Sequence, residues 1–126
     1  MRITVDPDAS AAGFGYATDG KYTLRVSKEP EQKKKDHPYL KWTFEFADPN
    51  VKAVNPGEKV GNIFENTTLK KGDNAQFRLR QLCDALGLVW GDFDTADVIG
   101  MEFQAEVGIK EYNGTLSNEV KKYYKK

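Results

Sequence analysis

Cysteine and histidine are nearly missing from this chain of 126 residues, which holds Cys83 and His37 and no other member of either type. A lone thiol closes no intramolecular disulfide, and one thiol with one imidazole makes no structural zinc site. No cofactor is expected. Long apolar runs are absent as well: nowhere do about eighteen apolar residues follow one another, and Met1-Arg2-Ile3-Thr4-Val5-Asp6-Pro7 lacks the apolar core of a signal peptide. No membrane partner is therefore expected, and a reducing cytoplasm is the expected location. Net charge is the third absence. Nineteen Lys and Arg against nineteen Asp and Glu give zero at neutral pH, which argues against an indiscriminate polyanion binder unless the charges are segregated.

They are segregated. Lys21, Arg25, Lys28, Lys33, Lys34, Lys35 and Lys41 crowd one stretch, Lys121, Lys122, Lys125 and Lys126 crowd the end, and acidic residues concentrate between Asp92 and Glu106. A neutral chain can thus present one positive and one negative face. Ordinary solvated lysine-rich surface would have the same composition, so position on the fold must decide.

The end of the chain is the clearest element. Met101, Phe103, Ala105, Val107 and Ile109 alternate with polar residues, and Asn113-Gly114 is the pair that a type I′ turn selects, because both of its central residues need positive φ. With Tyr112 opposite Thr115, Val107 meets Val120, Glu106 meets Lys121, and Gln104 meets Tyr123. The outward face would then carry Lys110, Tyr112, Lys121 and Tyr123, a mixture of cations and rings that a solvated strand does not need.

Ahead of it, residues 1–19 read as an irregular lead-in with Phe14 and Tyr16 placed to pin it, and residues 20–126 as one domain. Lys21 to Lys28 alternates as a first strand. Glu29 to Pro38 has two prolines and no apolar residue, so it is expected to be a loop tipped by Lys33-Lys34-Lys35. Tyr39 to Ala47 is a second strand, with Leu40, Trp42, Phe44 and Phe46 inward and Tyr39 and Lys41 outward. Trp42 shares the parity of Leu40 and Phe44 and is assigned to the core. Lys59 to Leu69 is a third strand with imperfect alternation, suggesting a bulge near Ile63-Phe64. The period then becomes helical through Ala75, Leu79, Leu82, Cys83 and Leu86, with Asp73 as N-cap and Gly87 as the stop. Cys83 lies on the apolar stripe, a core thiol and not a nucleophile. A short helical turn capped by Asp94 follows, and Gly100 opens the final hairpin.

Five strands with one helix between the third and fourth is the element order of the OB-fold, a mainly β, partly open five-stranded barrel; other small barrels with one helix share the pattern. Fold alone assigns no function. Single-stranded nucleic acid asks for cations that follow phosphates and flat rings that stack bases. Arg25, Lys33, Lys34, Lys35, Lys41, Lys110 and Lys121 are the candidate cations, and Tyr39, Tyr112 and Tyr123 the candidate rings.

Gly20-Lys21-Tyr22-Thr23-Leu24-Arg25-Val26, the helix end Leu82-Cys83-Asp84-Ala85-Leu86-Gly87, the step Asp97-Val98-Ile99-Gly100 and the hairpin Glu111-Tyr112-Asn113-Gly114 to Asn118-Glu119-Val120-Lys121 together resemble small bacteriophage proteins encoded among recombination and replication functions. The resemblance implies an OB-fold single-stranded DNA-binding protein that protects DNA or presents it to phage recombination or replication proteins. Many such proteins end in an acidic tail that recruits partners, whereas this sequence ends Lys121-Lys122-Tyr123-Tyr124-Lys125-Lys126, so recruitment by a tail of that kind is not expected of it. The competing expectation is an OB-fold protein-interaction module or recombination mediator with little DNA affinity of its own. An enzyme is not expected, because His37, Cys83 and scattered carboxylates form no nucleophile and base pair. Monomer and dimer both fit.

Overall fold

Alternation of apolar and polar side chains marks the longer of the eight strands in the computed structural model, which describes residues 1–2, 14–34, 36–72, 75–91 and 93–126. In chain order they are β1 (Phe14–Gly15), β2 (Gly20–Val26), β3 (Glu31–Lys34), β4 (Pro38–Phe46), β5 (Lys59–Val60), β6 (Ile63–Thr68), β7 (Glu102–Tyr112) and β8 (Thr115–Tyr123). Helix α1 (Phe77–Leu86) stands between β6 and β7, followed by a 3-10 turn at Thr95–Val98. The fold is mainly β.

Strand β4 organises the sheet. Its first residues pair with β3 and its last with β2, so these two strands lie end to end along one edge, while β6 runs antiparallel along the other from Phe44–Ile63 to Tyr39–Thr68. Strand β2 pairs in turn with β7, and β7 with β8. The antiparallel sheet curls until β8 comes against β6, giving a barrel-like shape. At that seam the Val120 N–H donates to Glu65 Oε1 at 2.6 Å.

Leu24, Val26, Leu40, Trp42, Phe44, Ile63, Phe103 and Val107 fill the interior, and Leu79, Leu82, Cys83 and Leu86 of α1 close over it. Trp42 is fully buried, and its indole N–H donates to Thr67 Oγ1 at 2.8 Å, satisfying the polar end of a ring that a dry core would otherwise penalise. Burial pushes the Cys83 thiol up to about 11, so it stays protonated and unreactive, as its place on the stripe implies. Gly87 ends α1 in the left-handed region at φ 77°, with its N–H on Asp84 O and that of Leu88 on Cys83 O. The proposed cap Asp73 itself lies outside the described residues, but the helix starts later than expected, at Phe77, with Gln76 in the cap position and no side-chain cap hydrogen bond. Asp94 caps the 3-10 turn through Oδ1 to the Ala96 N–H at 2.9 Å.

Three further expectations change. The stretch from Glu29 to Pro38 is not wholly a loop: Glu31–Lys34 forms a strand paired with Pro38–Lys41. Backbone pairing needs no apolar side chain, and a charged edge strand resists unwanted pairing with another chain. The third strand is broken at Gly61-Asn62, before Ile63-Phe64, whose own pairing with β4 is regular. The final hairpin has the expected turn, with Asn113 and Gly114 at φ 50° and 79° and Tyr112 opposite Thr115, but its register shifts between Glu106 and Val107. Lys121 is the extra residue of that bulge. Glu106 therefore meets Lys122, and Ala105 meets Tyr123.

The lead-in is also tied to the barrel. Ala17 is buried, with its N–H donating to Asn118 Oδ1 at 2.8 Å and its carbonyl accepting from Asn118 Nδ2 at 3.0 Å. Gly15 O accepts from the Gly61 N–H. Among the described residues no helix is long and apolar enough to cross a membrane.

Candidate nucleic-acid interface

Antiparallel pairing puts directly opposed residues on one face of a sheet. Across β3, β4 and β6 the outward rows are therefore Lys33–Tyr39–Thr68, Glu31–Lys41–Asn66 and Thr43–Phe64. Lys41 Nζ lies 5.4 Å from the centre of the Phe64 ring, and Phe64 is 51% exposed, so a cation and an open aromatic face occupy adjacent positions. Tyr39 is half-buried two residues before Lys41.

A recess closes each end of this face. One, of about 310 Å³, is lined by Asp36, His37, Tyr39, Asn66 and Thr68 beside the β3–β4 turn. The other, of about 370 Å³, lies between Phe64, Asn62 and Gly61 and the β8 residues Thr115, Leu116 and Ser117. The tip of the β7–β8 hairpin thus stands over the Phe64 end, with Tyr112, 74% exposed, opposite Thr115. Phe64 is the residue sequence reasoning missed, having entered only through the imperfect alternation of the third strand and the bulge expected at Ile63-Phe64. Adjacent Ile63 and Phe64 on one regular strand must face opposite sides, and that signal was present.

The ten candidates divide. Lys33, Tyr39 and Lys41 share the outward face, and Tyr112 stands at its hairpin end. Lys33 Nζ is 3.3 Å from Glu31, whose carboxyl is held below its ordinary range by Lys33 and then Lys28. Lys34 is exposed at the sheet edge, opposite Pro38. Lys35 lies outside the described residues. Lys110 and Lys121 share the outer face of the β7–β8 hairpin, on either side of Gly108.

Two candidates are drawn away. Arg25 is held between Glu102, 2.9 Å from Nη2, and Glu45, 3.3 Å from Nη1, so both carboxylates compete with any phosphate for it. Tyr123 is overturned as a stacking ring. The bulge turns it inward, where it is 5% exposed, packs against Phe44 and Phe103, and carries the Arg78 guanidinium 5.0 Å from its ring centre. Burial holds its hydroxyl protonated well above the ordinary range.

Among the described residues no group of three or more His, Cys, Asp or Glu side chains is placed to hold a metal ion. What the outward face offers chemically is attraction for anions and two rings for flat partners. No protein-family model matches the chain, and no curated protein matches it.

Proposed function

We propose that the barrel is an OB-fold and that its outward β3–β4–β6 face binds single-stranded DNA with little sequence preference. The strand order supports the fold reading: β2 with β3, β4, β6, β7 and β8 act as five strands in the pairing order of that barrel, with α1 between the third and fourth and the third and fifth meeting at the open seam. OB barrels carry oligonucleotides across their second and third strands and between the flanking loops. Here that region holds Tyr39, Lys41 and Phe64, with the β3–β4 turn at one end and the hairpin tip at the other.

The observation that carries the function is Lys41 lying over the exposed Phe64 ring beside Tyr39. A base stacked on such a ring contributes roughly 1 to 3 kcal/mol, more than an exposed cation–π contact of about 0.5 to 1, so a base displaces the lysine, whose ammonium then meets the neighbouring phosphate. The protein is read as a binder and not an enzyme. Its proposed setting is phage replication or recombination in the host cytoplasm, handing single strands to partner proteins.

Fluorescence anisotropy with a labelled oligo-dT at low salt tests the reading. Phe64→Ala or Tyr39→Ala should weaken binding about tenfold each, the loss of one stacked base. No binding by the wild-type protein at low salt rejects it. The exposed apolar side chains of Phe64 and Leu116, which line one recess, favour a second reading, a docking surface for another protein. In that case, capture of a phage recombination protein survives nuclease treatment and is lost on Phe64→Ala, with no affinity for single strands.

A further inference from the structure

A second ring surrounded by cations lies on a different face of the barrel. Tyr124, half-buried just past the end of β8, has Lys21 Nζ 4.4 Å and Lys122 Nζ 5.2 Å from its ring centre. Its backbone N–H donates to Gln104 O at 3.0 Å, which fixes where the ring begins. Beside it is a recess of about 440 Å³, lined among others by Thr23, Gln104, Lys125 and Lys126. Glu102 also lines this recess; its carboxylate is 2.9 Å from Arg25 Nη2, a cation it shares with Glu45, so its charge is only partly offset there and is outnumbered by Lys21, Lys122, Lys125 and Lys126.

The bulge that buries Tyr123 has a second consequence. By adding Lys121 to one strand it turns Lys122 and Tyr124 outward, onto the face that already holds Lys110 and Gly108. The outer face of the hairpin then carries Tyr112, Lys110, Lys121, Lys122 and Tyr124 in sequence from tip to base, with Lys21 of β2 alongside. Glu106 and Glu119 are the acids on that face, fewer than the cations around them. From Tyr112 to Gln104 the path covers eight strand residues, about 27 Å at the usual rise. It begins at the hairpin tip, which overhangs the Phe64 recess.

We propose that a single strand bound on the Tyr39–Phe64 face continues over the hairpin tip and down its outer face, and that Tyr124 and its recess take a second nucleotide cluster at the far end. This rests on the reading of the first face as a single-strand site. The ring would supply a stacking surface, Thr23 and Gln104 hydrogen-bonding groups for a base edge, and Lys21, Lys122, Lys125 and Lys126 the charges for flanking phosphates.

Length dependence tests it, with anisotropy on the full chain and oligo-dT of about six and about twenty nucleotides, within and beyond the span of one OB barrel. Wild-type protein should bind the longer strand more tightly, and Tyr124→Ala should lose about tenfold on the longer strand while holding the shorter as before. Tyr124→Phe should restore the wild-type value, since stacking needs the ring and not the hydroxyl. Wild-type binding to both lengths that Tyr124→Ala leaves unchanged overturns the extension and spares the first site. An equal loss on both lengths overturns it too, as general damage, and Phe64→Ala separates the two cases because it should weaken the short strand. No wild-type binding at either length overturns both readings. Tyr124-dependent capture of an acidic peptide in place of DNA also overturns the extension, in favour of a protein partner.

Discussion

Glu65 shows how one side chain can close a barrel that backbone pairing leaves open. Its carboxylate accepts the Val120 N–H at 2.6 Å across the seam, where Arg78 also donates from Nη2 to Val120 O at 2.8 Å. Burial raises the Glu65 pKa above 4.5, the hydrogen bond from Val120 and the charges of Arg78 and Lys110 opposing this and Glu119 adding to it. A raised folded-state pKa means that the folded protein binds this proton more tightly than the unfolded chain does. The stabilisation is complete below the unfolded value and is lost as pH rises through the raised one. Glu65→Gln keeps a carbonyl for Val120 and sheds the buried charge. It should therefore unfold at an equal or higher urea midpoint than wild type at neutral pH, with the difference shrinking as pH falls toward 4.5. Glu65→Ala leaves the Val120 N–H unpaired and should cost about 1 to 3 kcal/mol in the same measurement. Tyr123 gives a parallel contrast. Tyr123→Ala should cost about 3 to 5 kcal/mol as a core truncation, while Tyr123→Phe should leave single-strand affinity unchanged, the opposite of Tyr39→Ala.

Elements whose local chemistry is sufficient were legible in the sequence, and those decided by pairing partners were not. Asn113-Gly114 specified its turn, the helical period ending at Gly87 specified α1, and the alternation through Leu40, Trp42 and Phe44 specified the inner face of β4. Gly87 at φ 77° is the simplest to check: Gly87→Ala should lower stability by about 1 kcal/mol by chemical denaturation, because an L side chain is strained in the left-handed region. The bulge at Glu106–Val107 had no local signal. Counting from the turn placed Tyr123 outward, and one inserted residue reversed every position beyond it, moving Tyr123 to the core and Lys122 and Tyr124 to the surface. Strand β3 was illegible for a related reason. Its residues Glu-Gln-Lys-Lys carry no apolar pattern, and only the neighbouring edge of β4 makes them a strand. The candidate site was read in the same proportion: Tyr39, Lys41 and Tyr112 follow from parity near well-defined elements, whereas Phe64 needed the regular register of β6 against β4, and the sequestration of Arg25 needed Glu45 and Glu102 from two other strands.

At the scale of the whole molecule the zero net charge and the proposed polyanion ligand are reconciled by which cations are already engaged. Arg25, Lys28 and Lys33 are spent on Glu45, Glu102 and Glu31, whereas Lys34, Lys41, Lys110 and Lys121 form no ion pair among the described residues. Lys34 and Lys41 lie beside the first face, and if each meets one phosphate, counterion release sets the slope of log affinity against log salt at about −0.7 per contact, or about −1.4 in all, for a short single strand. Lys41→Ala should make that slope shallower by about 0.7, while Arg25→Ala should leave it unchanged because no phosphate contact is removed. A strand long enough to pass down the hairpin to Tyr124 adds Lys110, Lys121, Lys21, Lys122, Lys125 and Lys126, and the slope should steepen to about −5.6. Titrations over a range of salt with the two oligomer lengths measure both values. A slope near zero with measurable affinity would mean that the rings alone hold the ligand, and would turn the outward face back into a docking surface for an uncharged partner.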